Sequence, residues 1–85
     1  MDVEAKVKEI LLEILDIKEE QVVPTARLVD DLKATSIDLV EIVTALQNSF
    51  DINIDEGQAA KLRTVQDAVD LLKSILAQKA GASSS

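Results

Sequence analysis

Ser36 is the strongest candidate for a chemically functional residue, because it carries a hydroxyl and directly precedes a strong helical pattern that ends near Phe50. A serine hydroxyl becomes a nucleophile when a neighbouring base, most often histidine, takes its proton. The 85-residue chain has no histidine and no cysteine, and Lys33 is the only base close to Ser36 in sequence. One adjacent lysine is weak support for a serine–lysine pair. The residues therefore predict that Ser36 is not a catalytic nucleophile by itself.

Neither a phosphate-binding loop nor a metal site is predicted. The chain has only two glycines, too few for a glycine-rich phosphate loop. Asp51, Asn53 and Asp55 are spaced like the first three ligands of a calcium loop. The sixth and twelfth positions of such a loop should be Gly and Glu, but here they are Glu56 and Leu62. We predict no metal ligand, although loose divalent binding by the clustered acids stays open.

The negative charge of the chain is concentrated in one segment. Nine basic and sixteen acidic residues give a net charge of −7, and six of those seven charges belong to residues 28–56. Such a chain repels nucleic acid, and its single aromatic residue leaves little for bases to stack on. The acidic segment is either a solvated helix face or a docking surface for a basic partner.

Apolar residues recur at helical spacing, which predicts an all-α protein. No alternating β-branched run is bounded by turns, so no strand is expected. The helices are predicted at about residues 2–15, 36–50 and 65–79, with a short fourth helix over residues 56–61. We therefore expect a four-helix bundle over residues 1–79 and a flexible tail over residues 80–85.

The helix ends and the first connection also carry signals. Ser36 is a favoured N-cap, Thr64 with Asp67 forms a second N-terminal signal, and Gly81 is expected to stop the last helix. Residues 16–35 lack a helical period and are predicted to form a long loop over the core. The apolar residues expected to pin this loop are Ile17, Val22, Val23, Leu28, Val29 and Leu32.

The second helix has more apolar residues than its core stripe needs. The predicted stripe consists of Leu39, Ile42, Val43, Leu46 and Phe50. Ile37, Val40 and Thr44 fall on another face, beside Glu41. This face is either an apolar docking site edged by acid, or Val40 packs under the loop and Ile37 is an isolated exposed residue.

The segment Leu28–Glu41, LVDDLKATSIDLVE, resembles the acyl carrier proteins. The likeness covers about residues 3–77. It continues at Ala45-Leu46, Phe50-Asp51-Ile52, Ile54, Ala59, Lys61-Leu62 and Thr64–Ala68. The family fold is a four-helix bundle with a long first loop, which agrees with the elements predicted above.

The resemblance gives Ser36 a role. In the family, a serine that opens the second helix receives 4′-phosphopantetheine from coenzyme A in a Mg-dependent reaction of a separate phosphopantetheinyl transferase. Ser36 occupies that place. The resemblance therefore implies a carrier, not an enzyme, that holds acyl groups as thioesters for fatty-acid, lipid or polyketide-type biosynthesis. The transferase would supply the missing base and the arm the missing sulfur, and a phosphodiester suits a helix N-terminus.

The resemblance also implies two sets of binding residues. Partner enzymes with basic patches would dock on Ile37, Asp38, Val40 and Glu41, and more loosely on Asp30, Asp31 and Glu56. An acyl chain would lie among Leu46, Ile54, Ala59 and Leu62. We further expect a cytoplasmic monomer, because the chain starts with acidic residues and its apolar runs are far too short to span a membrane.

Departures from the family pattern point to a specialised member. Thr35 stands where the family has Asp, and Lys33 stands where glycine is common. Further departures are Ile37, Thr44, Gln47, Asn48 and Ser49. Two alternatives stay open: a carrier for an amino acid or another specialised acid, and an unmodified carrier-like protein that acts by docking alone.

Overall fold

The chain folds into four helices joined by one long and two short connections. A computed structural model describes the backbone of residues 2–84 and the side chains of residues 2–79. The helices are α1 (Val3–Ile14), α2 (Ser36–Phe50), α3 (Glu56–Ala59) and α4 (Val65–Ser84), with a 3₁₀ turn at Glu19–Gln21. Over the described range, no strand forms beyond an isolated bridge between Arg27 and Thr64. The prediction of an all-α four-helix bundle is confirmed.

The core lies where α1 meets the other two long helices. α1 packs against both α2 and α4, and Leu28 of the long connection belongs to the same buried apolar cluster. The largest fully buried side chains are Val7, Leu11, Leu28, Ile42, Leu46 and Leu72. All are aliphatic, so the bundle is held by apolar packing without a buried polar group among the described residues.

The long connection is tied to the core by its backbone as well as by its side chains. The Leu28 N–H donates to the carbonyl of Arg63 (2.9 Å), and the Val65 N–H donates to that of Ala26 (3.0 Å). Val29 lies in the turn that follows this pairing and is 53% exposed, so the prediction that it pins the loop is wrong. The same prediction is wrong for Val23, which is also exposed, and holds for the buried Leu28 and Leu32.

The predicted end of α4 near Lys79 is wrong, because α4 continues through Gly81 to Ser84. Glycine ends a helix by taking a positive φ, and no glycine in the described chain does so. A helical glycine costs only about 1 kcal/mol relative to alanine, which does not force a stop. Ser85 lies outside the described residues, and the flexibility of the tail at 80–85 stays a prediction.

Candidate functional site

The start of α2 is built by a reciprocal pair of hydrogen bonds between Thr35 and Asp38. The Asp38 N–H donates to Thr35 Oγ1 (3.1 Å), and the Thr35 N–H donates to Asp38 Oδ2 (2.9 Å). Thr35 is therefore the N-cap, and the prediction that Ser36 caps this helix is wrong. The pattern Thr-x-x-Asp, a variant of the capping box, carried this signal in the sequence.

Ser36 is the first helical residue, and its side chain is left free by this cap. It is exposed, and its hydroxyl has no hydrogen-bond partner among the side chains of residues 2–79 or the described backbone. The first helical N–H groups have no partner inside a helix, and Thr35 Oγ1 occupies only that of Asp38. The N–H groups of Ser36 and Ile37 stay open at the positive end of the helix. An ester formed on Ser36 Oγ would place a phosphate at a helix end that favours an anion.

Lys33, three residues before Ser36, has a left-handed backbone conformation. It has a φ of 60°, a left-handed backbone that costs an ordinary residue about 1–2 kcal/mol. Two hydrogen bonds enforce this turn: the Leu32 N–H donates to the Arg27 carbonyl (2.9 Å), and the Ala34 N–H donates to the Leu28 carbonyl (2.8 Å). The conformation explains why glycine suits this position, since glycine adopts it without steric cost.

The residues expected to contact partners are spread over α2, the loop before it and α3. Ile37 and Val40 are 71% and 65% exposed, so Val40 does not pack under the long loop. Glu41 is exposed beside them, whereas Asp38 is half-buried and engaged in the cap. These four residues form one surface next to Ser36, which we call the α2 surface.

The two acids of the preceding loop have partners within the chain. Asp31 Oδ2 accepts from the Arg27 N–H (2.8 Å), and Asp30 Oδ2 lies 3.4 Å from the guanidinium of the same arginine. Both side chains are exposed; Asp31 contacts only a backbone N–H, and the surface ion pair of Asp30 is weak. Glu56, the first residue of α3, is exposed at the rim of a cavity described next. Both loop acids and Glu56 are thus accessible to a docking partner.

An apolar cavity of about 220 Å³ lies between α2 and α3. Ile54, Ala59 and Leu62 line it as expected, but Leu46 does not, because it is enclosed in the core at 1% exposure. The other lining residues are not among those expected from the sequence. They are Leu28, Leu39, Val40, Ile42, Val43, Thr44, Asp55 and Glu56. Leu39 and Val43 were assigned to the core stripe, and their half-burial reflects this open space beside α2.

Side-chain hydrogen bonds fix the connection after α2 and the start of α3, both of which border this cavity. The Gln47 side chain accepts from the Ile54 N–H (2.8 Å), which ties the connection after α2 back to that helix. Asp55 and Gln58 cap α3 reciprocally, at 2.7 and 3.0 Å. In the part of the chain that the structure describes, no group of three acids lies close enough to hold a metal ion. The same part contains no helix that is long and apolar enough to cross a membrane.

Known proteins similar to this chain decide its family. Residues 5–72 match a family model described as a phosphopantetheine attachment site. The acyl carrier proteins of Buchnera aphidicola subsp. Acyrthosiphon pisum strains Tuc7 and 5A are each 42% identical over 72 residues, which is 85% of this chain and 90% of theirs. The chain belongs to the acyl carrier protein family. An acyl carrier protein is a carrier whose prosthetic group is a covalently attached 4′-phosphopantetheine.

Family membership agrees with the geometry at the start of α2. The family's prosthetic group needs an exposed hydroxyl and a place for a phosphodiester, and Ser36 at the first turn offers both. These similarities do not favour the two alternatives raised from the sequence, a carrier of amino acids and an unmodified docking protein.

Proposed function

We propose that Ser36 carries the 4′-phosphopantetheine arm, and that this acyl carrier protein presents acyl groups on it as thioesters without catalysing a reaction itself. The supporting observation is that Thr35 caps α2, which leaves the Ser36 hydroxyl exposed and free of hydrogen bonds within the described chain. A transferase can approach this hydroxyl without first breaking a contact of the fold.

The cavity between α2 and α3 is the proposed site for the acyl chain. An apolar cavity of about 150 Å³ accepts a six-carbon ring, so 220 Å³ corresponds to a chain of roughly six to nine carbons. Its walls are aliphatic except at Thr44, Asp55 and Glu56. An aliphatic acyl group suits these walls, because most of the lining side chains are aliphatic and would bury it away from water.

The α2 surface is the proposed docking site for the transferase and for acyl-processing enzymes with basic patches. Ile37 and Val40 offer exposed apolar area beside the charged Glu41, a combination typical of specific interfaces. Gln47, Asn48 and Ser49 make the far end of α2 less acidic than the family pattern, which supports a specialised carrier. Thr35 and Lys33, just before Ser36, support the same proposal. A cytoplasmic, monomeric protein is part of the same proposal and rests on the sequence alone.

Modification by a transferase tests the attachment site. The full chain is incubated with coenzyme A, Mg²⁺ and a broad-specificity phosphopantetheinyl transferase, and its intact mass is measured. We expect one phosphopantetheine on the natural chain and none on the Ser36→Ala variant. Ser74→Ala is the matched control, because Ser74 is an exposed serine on α4. Full modification of Ser36→Ala would refute the assignment, as would no modification of the natural chain beside a standard carrier that is converted.

A further inference from the structure

We propose that Lys33 is a specificity determinant. It selects partner enzymes that carry an acidic side chain beside the opening of their active site, where the phosphopantetheine arm enters. The inference rests on the proposed function, because it assumes that enzymes dock around Ser36. Lys33 is a cation in an otherwise acidic segment. Lys33 is the only basic residue between positions 28 and 56, where seven residues are acidic.

The backbone fixes the direction in which Lys33 points. Its neighbours Leu32 and Ala34 are 3% and 5% exposed, and the N–H groups of both donate to carbonyls of the same loop. Lys33 itself is exposed, with the left-handed φ of 60° described above. A residue held between two buried anchors cannot turn its side chain into the core. The side chain is therefore directed to solvent, where its flexible stem lets the ammonium group reach a docked partner.

No group of the described chain neutralises this cation. Lys33 has no hydrogen bond or ion pair with the described part of the chain, although Asp30 and Asp31 precede it closely. Those two carboxylates contact Arg27 instead. Three residues of chain span at most about 11 Å, so the Lys33 side chain lies within reach of whatever docks on Ser36.

The position of Lys33 makes the affinity of a partner depend on the charge that the partner places opposite it. Asp38 and Glu41 follow Ser36 in α2 and attract basic side chains, whereas Lys33, in the loop that precedes Ser36, repels them. Two unit charges about 7 Å apart in water change an equilibrium constant by about threefold. Thr35 adds no carboxylate that would cancel this effect. An enzyme with a uniformly basic docking surface is therefore disfavoured, and one with an acid opposite Lys33 is favoured by a similar factor.

The test compares charge variants of the full chain with a transferase whose docking surface is basic. We expect Lys33→Gln and Lys33→Gly to lower KM about threefold at low salt and Lys33→Glu to lower it about tenfold, with kcat unchanged. These differences should shrink towards zero in about 1 M salt, where charges are screened beyond roughly 3 Å. Lys73→Gln is the matched control, because Lys73 is exposed on α4 and pairs with Glu4 of α1. It should leave KM unchanged.

A charge swap on the enzyme tests the partner that we infer. When the transferase's basic residue nearest to position 33 is replaced by Glu, the order should reverse, with the natural chain now binding better than Lys33→Glu. An unchanged KM for Lys33→Gln, an equal effect of Lys73→Gln, or the same order with both transferases would overturn the inference while leaving the attachment site intact. If the natural chain takes no arm at all, the proposed function fails and this inference fails with it.

Discussion

Replacing Thr35 by alanine should destabilise the fold, whereas replacing Ser36 should not. The Thr35→Ala change removes the hydroxyl that accepts from the Asp38 N–H at 3.1 Å and leaves that donor at the helix start. Loss of a threonine N-cap costs about 1 kcal/mol. A domain of this size has an unfolding free energy of roughly 4–13 kcal/mol, so the loss is substantial. The melting temperature should fall by about 4–8 °C.

Thermal unfolding followed by circular dichroism measures this effect, and three further variants make it specific. Thr35→Ser keeps the cap and should stay within about 0.5 kcal/mol of the natural chain, as should Ser36→Ala. Combining Thr35→Ala with Asp38→Ala should cost less than the sum of the two single changes, because they share one pair of hydrogen bonds. A Ser36→Ala variant that loses as much stability as Thr35→Ala would refute the assignment of the cap.

Three further changes test the backbone, the cavity and the docking surface. Lys33→Gly should raise the melting temperature by a few degrees, because it relieves about 1–2 kcal/mol of left-handed backbone strain and costs only roughly 0.5–1 kcal/mol of chain entropy. A melting temperature below that of the natural chain would contradict the strain. Ala59→Phe should fill the cavity and exclude an eight-carbon acyl group from it. Hydroxylamine should then cleave the exposed thioester faster than on the natural protein, and an equal rate would place the acyl group elsewhere. Ile37→Ala with Val40→Ala should raise KM for the transferase severalfold at an unchanged melting temperature, because both side chains are exposed; a loss of stability would show that they pack in the fold.

The fold is predictable from the sequence where side-chain periodicity alone decides it. α1 and α4 follow from their apolar repeats, and the start of α4 follows from Thr64 and Asp67, whose reciprocal hydrogen bonds are both 3.1 Å long. The start of α2 needed a second signal. Serine and threonine are both good N-caps, so composition does not choose between Thr35 and Ser36. The choice is made by the carboxylate of Asp38, three residues after Thr35.

The cavity and the long loop depend on distances between elements, which periodicity does not contain. Leu39 and Leu46 lie on one stripe of α2, yet the first lines the cavity and the second is enclosed in the core. The difference arises from the position of α3, a helix of four residues placed by its own cap and by Gln47. Likewise, Val29 is exposed in a turn whose start is paired to the residues before α4, a contact between segments distant in sequence.

The measurement that tests the central claim most directly is the position of the adduct within one peptide. Trypsin cleaves after Lys33 and Lys61, so residues 34–61 are released together with Thr35, Ser36, Thr44 and Ser49, the only hydroxyl side chains in this peptide. Fragmentation of this peptide after transferase treatment should place one phosphopantetheine on Ser36, with Thr35 unmodified. An adduct on Thr35, Thr44 or Ser49, or a peptide without an adduct beside a converted standard carrier, would contradict the account.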